Sequence, residues 1–128
     1  MIKITAIRQT VYRDLIARYE NPIEHACDVR VGDTWWSREG ECPAGFCPEA
    51  WATLRPFAEA LARGEGNFYD GWMKNPRSAM LSCNDCFRPV SFCLQNSAEL
   101  HQHDACGSYD DRNQQRTIRA DYGFFPFL

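Results

Sequence analysis

Two short apolar runs close together in the chain restrict the fold more than any other feature. Ser78 to Cys83 is compact, apolar and suited to a central strand, while Val90, Phe92 and Leu94 alternate with Ser91, Cys93 and Gln95. Alternation with a period of two marks a strand, so the residues between, Cys83 to Arg88, form the turn of a hairpin. The same period recurs at the start, where Ile2, Ile4 and Ala6 alternate with Lys3 and Thr5. Ile7 breaks it, and the strand is expected to end there. Val29 and Val31 alternate again, Gly32-Asp33 marks a turn, and Thr34-Trp35-Trp36 favours extended structure, which predicts a second strand or hairpin.

Helical spacing appears twice. From Val11 to Glu20, the residues Val11, Tyr12, Leu15, Ile16 and Tyr19 recur every three or four positions, and Asn21-Pro22 ends the pattern. The longer helix opens at Cys47-Pro48, with proline suited to the first helical position, and closes at Arg63-Gly64. Ala50, Leu54, Phe57, Ala58 and Leu61 form its buried stripe. Pro56 removes the hydrogen bond to Ala52, which predicts a kink or two short helices. Residues 64–77 form a glycine-rich loop whose Phe68, Tyr69 and Trp72 are expected to pack down on the domain. Its Gly64-Glu65-Gly66 follows a helix, the wrong context for a dinucleotide-binding loop. The fold class is α+β: a small, mostly antiparallel sheet with one or two helices packed on one face. Residues 1–96 make a compact domain. Residues 97–128 read as a C-terminal extension whose aromatic end, Phe124 to Leu128, docks on that domain or closes a homodimer.

Charge and motifs exclude several functions. Fourteen Lys plus Arg against seventeen Asp plus Glu leave a net charge of −3 and no basic stripe, so no nucleic-acid partner is expected. No apolar run approaches the roughly 20 residues that span a bilayer, so no membrane partner is expected either. The opening MIKITAIRQT reads as a strand and lacks a secretory h-region, which predicts a cytoplasmic protein. Also missing are a G-x-S-x-G elbow, a Walker loop and an H-E-x-x-H helix.

Seven cysteines, at 27, 42, 47, 83, 86, 93 and 106, are the compositional anomaly. In a reducing compartment, clustered thiols point to metal or redox chemistry more often than to structural disulfides. Cys93 is the exception, because its place in a strand makes it a small core residue.

Several motifs occur in a familiar order. Gly32-Asp33 precedes an aromatic strand; Pro43-x-Gly45-Phe46-Cys47-x-x-Ala50-Trp51 precedes a helix; Cys83-x-Asp85-x-x-Arg88-Pro89-Val90-x-Phe92 follows. This order, over residues 2–95, resembles a family of small uncharacterised prokaryotic proteins with "GFC..AW" and "CCTDG.RPV.F" segments. The resemblance implies one compact domain of this size and no particular activity. Here Ser82-Cys83 replaces the doubled cysteine and Cys86 stands where the family has glycine.

The first chemical reading is a metal site. Cys83 and Cys86, with His103 and Cys106, give the spacing C-x2-C-x16-H-x2-C, which matches structural zinc. His101, two residues before His103, is an alternative ligand, and zinc or another transition-metal ion is the expected cofactor. The second is a small thiol- or metal-dependent enzyme. Cys27, Cys42 and Cys47, with His25 nearby, form another group of thiols, and Cys47 opens a helix whose unpaired N–H groups favour a thiolate. If the fold brings Cys47 to Cys83, Cys47 can act as nucleophile, Asp85 as acid or base and Arg88 as anion clamp on a small-molecule substrate. The plainer role for Asp85 and Arg88 is to tie the hairpin together. Trp35, Trp36, Trp51 and Trp72 could line a pocket, but four tryptophans in one small domain more often pack core and rim, and only Trp51, one turn after Cys47, is a candidate ligand contact. The third reading is a noncatalytic interaction module that uses the aromatic C-terminus.

Overall fold

The computed structural model describes residues 1–99. Four antiparallel strands, β1 (Ile2–Gln9), β2 (Thr34–Ser37), β3 (Ser78–Ser82) and β4 (Val90–Asn96), form one sheet in the order β2-β1-β4-β3. Two helices, α1 (Arg13–Tyr19) and α2 (Pro48–Ala62), complete a small α+β fold. Among the described residues, no helix is long and apolar enough to cross a membrane.

Burial follows the alternation in the sequence. Ile2, Ile4 and Ala6 are buried on β1, and Val90, Phe92 and Leu94 on β4. The strand does not stop at Ile7. The register with β4 shifts between Ala6 and Arg8, so a bulge absorbs one residue and pairing continues to Gln9↔Val90. A bulge leaves the extra residue outside the ladder, which lets Ile7 bury itself without ending the strand. A second expectation is also corrected. Ser78 to Ser82 lies at an edge of the sheet, because β1 occupies the other side of β4. Of the proposed second strand only Thr34–Ser37 forms; Val29 and Val31 lie in the preceding loop.

Helix α2 covers the sheet with Ala50, Trp51, Leu54, Ala58, Ala60 and Leu61 buried. It is a single helix through Pro56. Pro56 and Ala52 both lie on the exposed face, where water can serve the carbonyl that proline leaves unbonded. Phe46, just before the helix, is 5% exposed and meets Trp35, Phe92 and Trp51 edge-on, with ring centroids 5.0, 5.3 and 6.2 Å away. Such contacts add to area burial and fix ring orientation. The loop after α2 packs only in part: Phe68 meets Phe57 edge-on at 5.1 Å, whereas Tyr69 remains 74% exposed.

Helix α1 buries no residue. Leu15 and Ile16 are half-buried, and Val11, Tyr12 and Tyr19 face outward. Instead, polar links strap it to the β3–β4 hairpin. Thr10 N–H donates to the Pro89 carbonyl at 3.0 Å, and Tyr12 N–H to that of Phe87 at 2.9 Å.

Candidate functional site

The hairpin turn between β3 and β4 is held by one side chain. Asp85 Oδ1 accepts the backbone N–H of Phe87 at 2.8 Å and of Arg88 at 3.2 Å, an Asx turn that fixes the chain reversal. Just before the turn, Cys83 N–H donates to the Val90 carbonyl at 3.0 Å. The return bond is unusual, since Val90 N–H donates to Cys83 Sγ at 3.3 Å instead of to a carbonyl oxygen. The Cys83 sulfur is thereby held against the backbone.

Arg88 emerges from the same turn. Its Nη1 lies 2.9 and 3.0 Å from the two carboxylate oxygens of Glu20, the residue that ends α1. Both side chains are largely shielded, at 17% and 15% exposure. Shielding from water strengthens the pair, and neither group can leave without stranding a charge. Asp85 thus ties the hairpin turn, and Arg88 ties that turn to the end of α1. The guanidinium meets its counter-charge within the protein, which weakens the anion-clamp role expected from the sequence.

Cys47 approaches from the opposite side as the N-cap of α2, with Pro48 at the first helical position. Its carbonyl accepts the Trp51 N–H at 2.9 Å, but its side chain makes no capping bond. The first-turn N–H groups at Glu49 and Ala50 therefore lack the side-chain oxygen that usually caps a helix. Cys47 is exposed and its thiol is free.

Between these elements lies a cavity of about 230 Å³. Cys27, Cys47 and Cys83, from three distant parts of the chain, line it together with the first turn of α2, Asp85 and Arg88; Val29, Val90 and Phe92 supply apolar wall. The fold therefore brings Cys47, Cys83, Asp85 and Arg88 to one place, and adds Cys27. No tryptophan lines the cavity; Trp35 and Trp51 belong to the core.

Cys42 lies five residues before Cys47. Burial of its sulfur, and next the neighbouring Cys47, push its thiol above the ordinary range even though the residue is largely exposed. Both effects disfavour its charged form.

Of the metal ligands expected from the sequence, Cys83 lies on the cavity wall and Cys86 is exposed on the turn. His101, His103 and Cys106 lie outside the described residues. Among the described residues, no three His, Cys, Asp or Glu side chains are grouped so that one ion could be held by all of them.

Sequence reasoning missed Glu20, and it read Val29 as part of a strand and Ala50 as a packing residue, not as walls of a cavity. Nothing local marks Glu20 as the partner of a residue 68 positions later. Ala50 was readable only as a stripe residue of α2, and its position one turn into the helix is what brings it to the cavity. Compared with protein-family models, curated proteins and solved structures, the chain has no match in any of the three.

Proposed function

We propose that the protein is a small thiol-dependent enzyme acting on a small, largely apolar organic molecule, with Cys47 as nucleophile. The observation that carries this reading is the cavity itself, where the uncapped start of α2 opens onto a space closed by Cys83 and Cys27. A volume of about 230 Å³ suits a molecule of modest size, and the apolar wall favours an uncharged body over a polyanion.

The three thiols differ in what they are free to do. The Cys83 sulfur accepts a backbone N–H and is positioned; the Cys47 side chain has no capping bond and is exposed. A nucleophile must reach an electrophilic atom, so Cys47 suits attack and Cys83 suits shaping the wall. Charge that develops at the attacked atom would lie near the positive end of the α2 dipole, where unpaired N–H groups stabilise it. The Arg88–Glu20 pair holds the hairpin side of the cavity in place and leaves no net charge of its own there.

Alkylation with iodoacetamide near about pH 6.5, where ordinary thiols react slowly, tests this reading. Mass mapping is expected to show Cys47 modified about tenfold faster than Cys86, an exposed thiol outside the cavity. Equal rates at the two positions would reject Cys47 as an activated nucleophile. Metal retained stoichiometrically by the purified protein and lost in Cys83→Ser would instead assign Cys83 to ion binding.

A further inference from the structure

Cys42 and Cys47 flank a tight turn. Phe46 N–H donates to the Pro43 carbonyl at 3.1 Å, closing the four residues Pro43 to Phe46, and Gly45 takes φ +76° at the third position. A type II turn requires that left-handed value at its third residue, and glycine adopts it without strain. Such a turn brings its ends, Pro43 and Phe46, within about 7 Å, and Cys42 and Cys47, one residue beyond each end, are near enough for the charge of Cys47 to act on Cys42. A disulfide needs Cα atoms roughly 4.4–6.8 Å apart, a separation that this reversal puts within reach. The turn is also anchored, because Phe46 is locked between Trp35, Phe92 and Trp51. Both thiols are free, and the Cys42 Sγ makes only a long contact of 3.7 Å to the adjacent Pro43 carbonyl.

We infer that Cys42 is the resolving thiol for Cys47, and that the substrate class of the cavity is a small organic disulfide. This rests on the reading of Cys47 as nucleophile. In the first step the Cys47 thiolate attacks one sulfur of R–S–S–R, forming Cys47–S–S–R and releasing RS⁻, which takes a proton. In the second step Cys42 loses its proton to solvent, and its thiolate attacks the Cys47 sulfur. The Cys42–Cys47 disulfide forms and a second RS⁻ leaves. Two electrons pass from the protein dithiol to the organic disulfide, and two molecules of RSH result.

The local charges order the two steps. Burial first, and the charge of a Cys47 thiolate second, disfavour the Cys42 thiolate; once Cys47 is in the mixed disulfide the second effect is gone and Cys42 ionises more readily. Cys83 is a poorer resolver, since its sulfur is held by the Val90 N–H.

The test uses the reduced full chain and 2-hydroxyethyl disulfide, a small uncharged probe. Intact mass and peptide mapping are expected to show a Cys42–Cys47 cross-link in the wild type with little adduct. Cys42→Ser is expected to accumulate the probe adduct on Cys47 at about ten times the wild-type occupancy. Cys86→Ser, altered on an exposed turn, is expected to behave as wild type and controls for general effects of thiol removal. An adduct on Cys47 that persists equally in wild type and Cys42→Ser overturns the resolving role while leaving Cys47 as nucleophile. A cross-link from Cys47 to Cys27 or Cys83 does the same. No adduct on Cys47 in Cys42→Ser overturns both readings.

Discussion

The two helices are attached to the sheet by different physics. Helix α2 buries six residues, among them Leu54 and Leu61 at 0% and 1% exposure, whereas α1 buries none. Apolar burial is non-directional and survives small displacements, while α1 depends on two backbone hydrogen bonds at its start and the Glu20–Arg88 pair at its end. Both helices help to build the cavity: α2 supplies Cys47, and α1 supplies the carboxylate that holds Arg88. One wall therefore belongs to the helix with the buried face, and the other is the hairpin that α1 braces through Glu20.

The largest expected effect lies on the α2 side. Leu54→Ala, which removes a fully buried side chain, should lower unfolding stability by about 2–5 kcal/mol, against about 1 kcal/mol or less for Leu15→Ala on α1. Equal losses in denaturant titrations would erase the distinction between the helices. Next is the ion pair. A double-mutant cycle with Arg88→Ala and Glu20→Ala should give a coupling of about 1–2 kcal/mol, and hydrogen exchange should speed up in α1 while α2 stays protected. A coupling near zero would mean that the strap does not hold the helix.

The smallest effect concerns the start of α2. Burial and Cys47 together raise the Cys42 pKa, so the folded state favours the protonated thiol. The stability this contributes is present in full below the unfolded thiol's pKa and is lost as pH rises through the higher folded value. In Cys47→Ser the second cause disappears and burial, the larger one, remains. Alkylation of Cys42 near about pH 8 should then speed up about two- to threefold. An unchanged rate would show that the two sulfurs do not sense each other.

Much of this architecture was legible in the sequence, for reasons that particular residues make plain. Ile2, Ile4, Phe92 and Leu94 announce their strands because a half-buried sheet demands alternation, and α2 is announced by its stripe and by Pro48. The edge position of β3 was not legible, since an apolar run records burial on a face and not which strands lie beside it. The exposure of Tyr12 and Tyr19 was hidden for a related reason: helical spacing forms the face but does not supply the surface to cover it. The meeting of Cys47 with Cys83 could be written only as a condition, because it depends on packing between elements far apart in the chain. Cys27 lies just before the Val29 and Val31 alternation, which does not form a strand.

The pairing of β1 with β4 bears on how the molecule is made. Ile2 lies opposite Asn96, so the central strand pair joins the first residues of the chain to nearly the last of those described. A ribosome adding about 5–20 residues per second must finish β4 before β1 has its main partner. Contacts this distant in sequence also slow folding after release. Throughout that interval the cavity does not yet exist, and the Cys83 sulfur, which the finished fold holds against the Val90 N–H, is as open to an electrophile as the exposed Cys27 and Cys47.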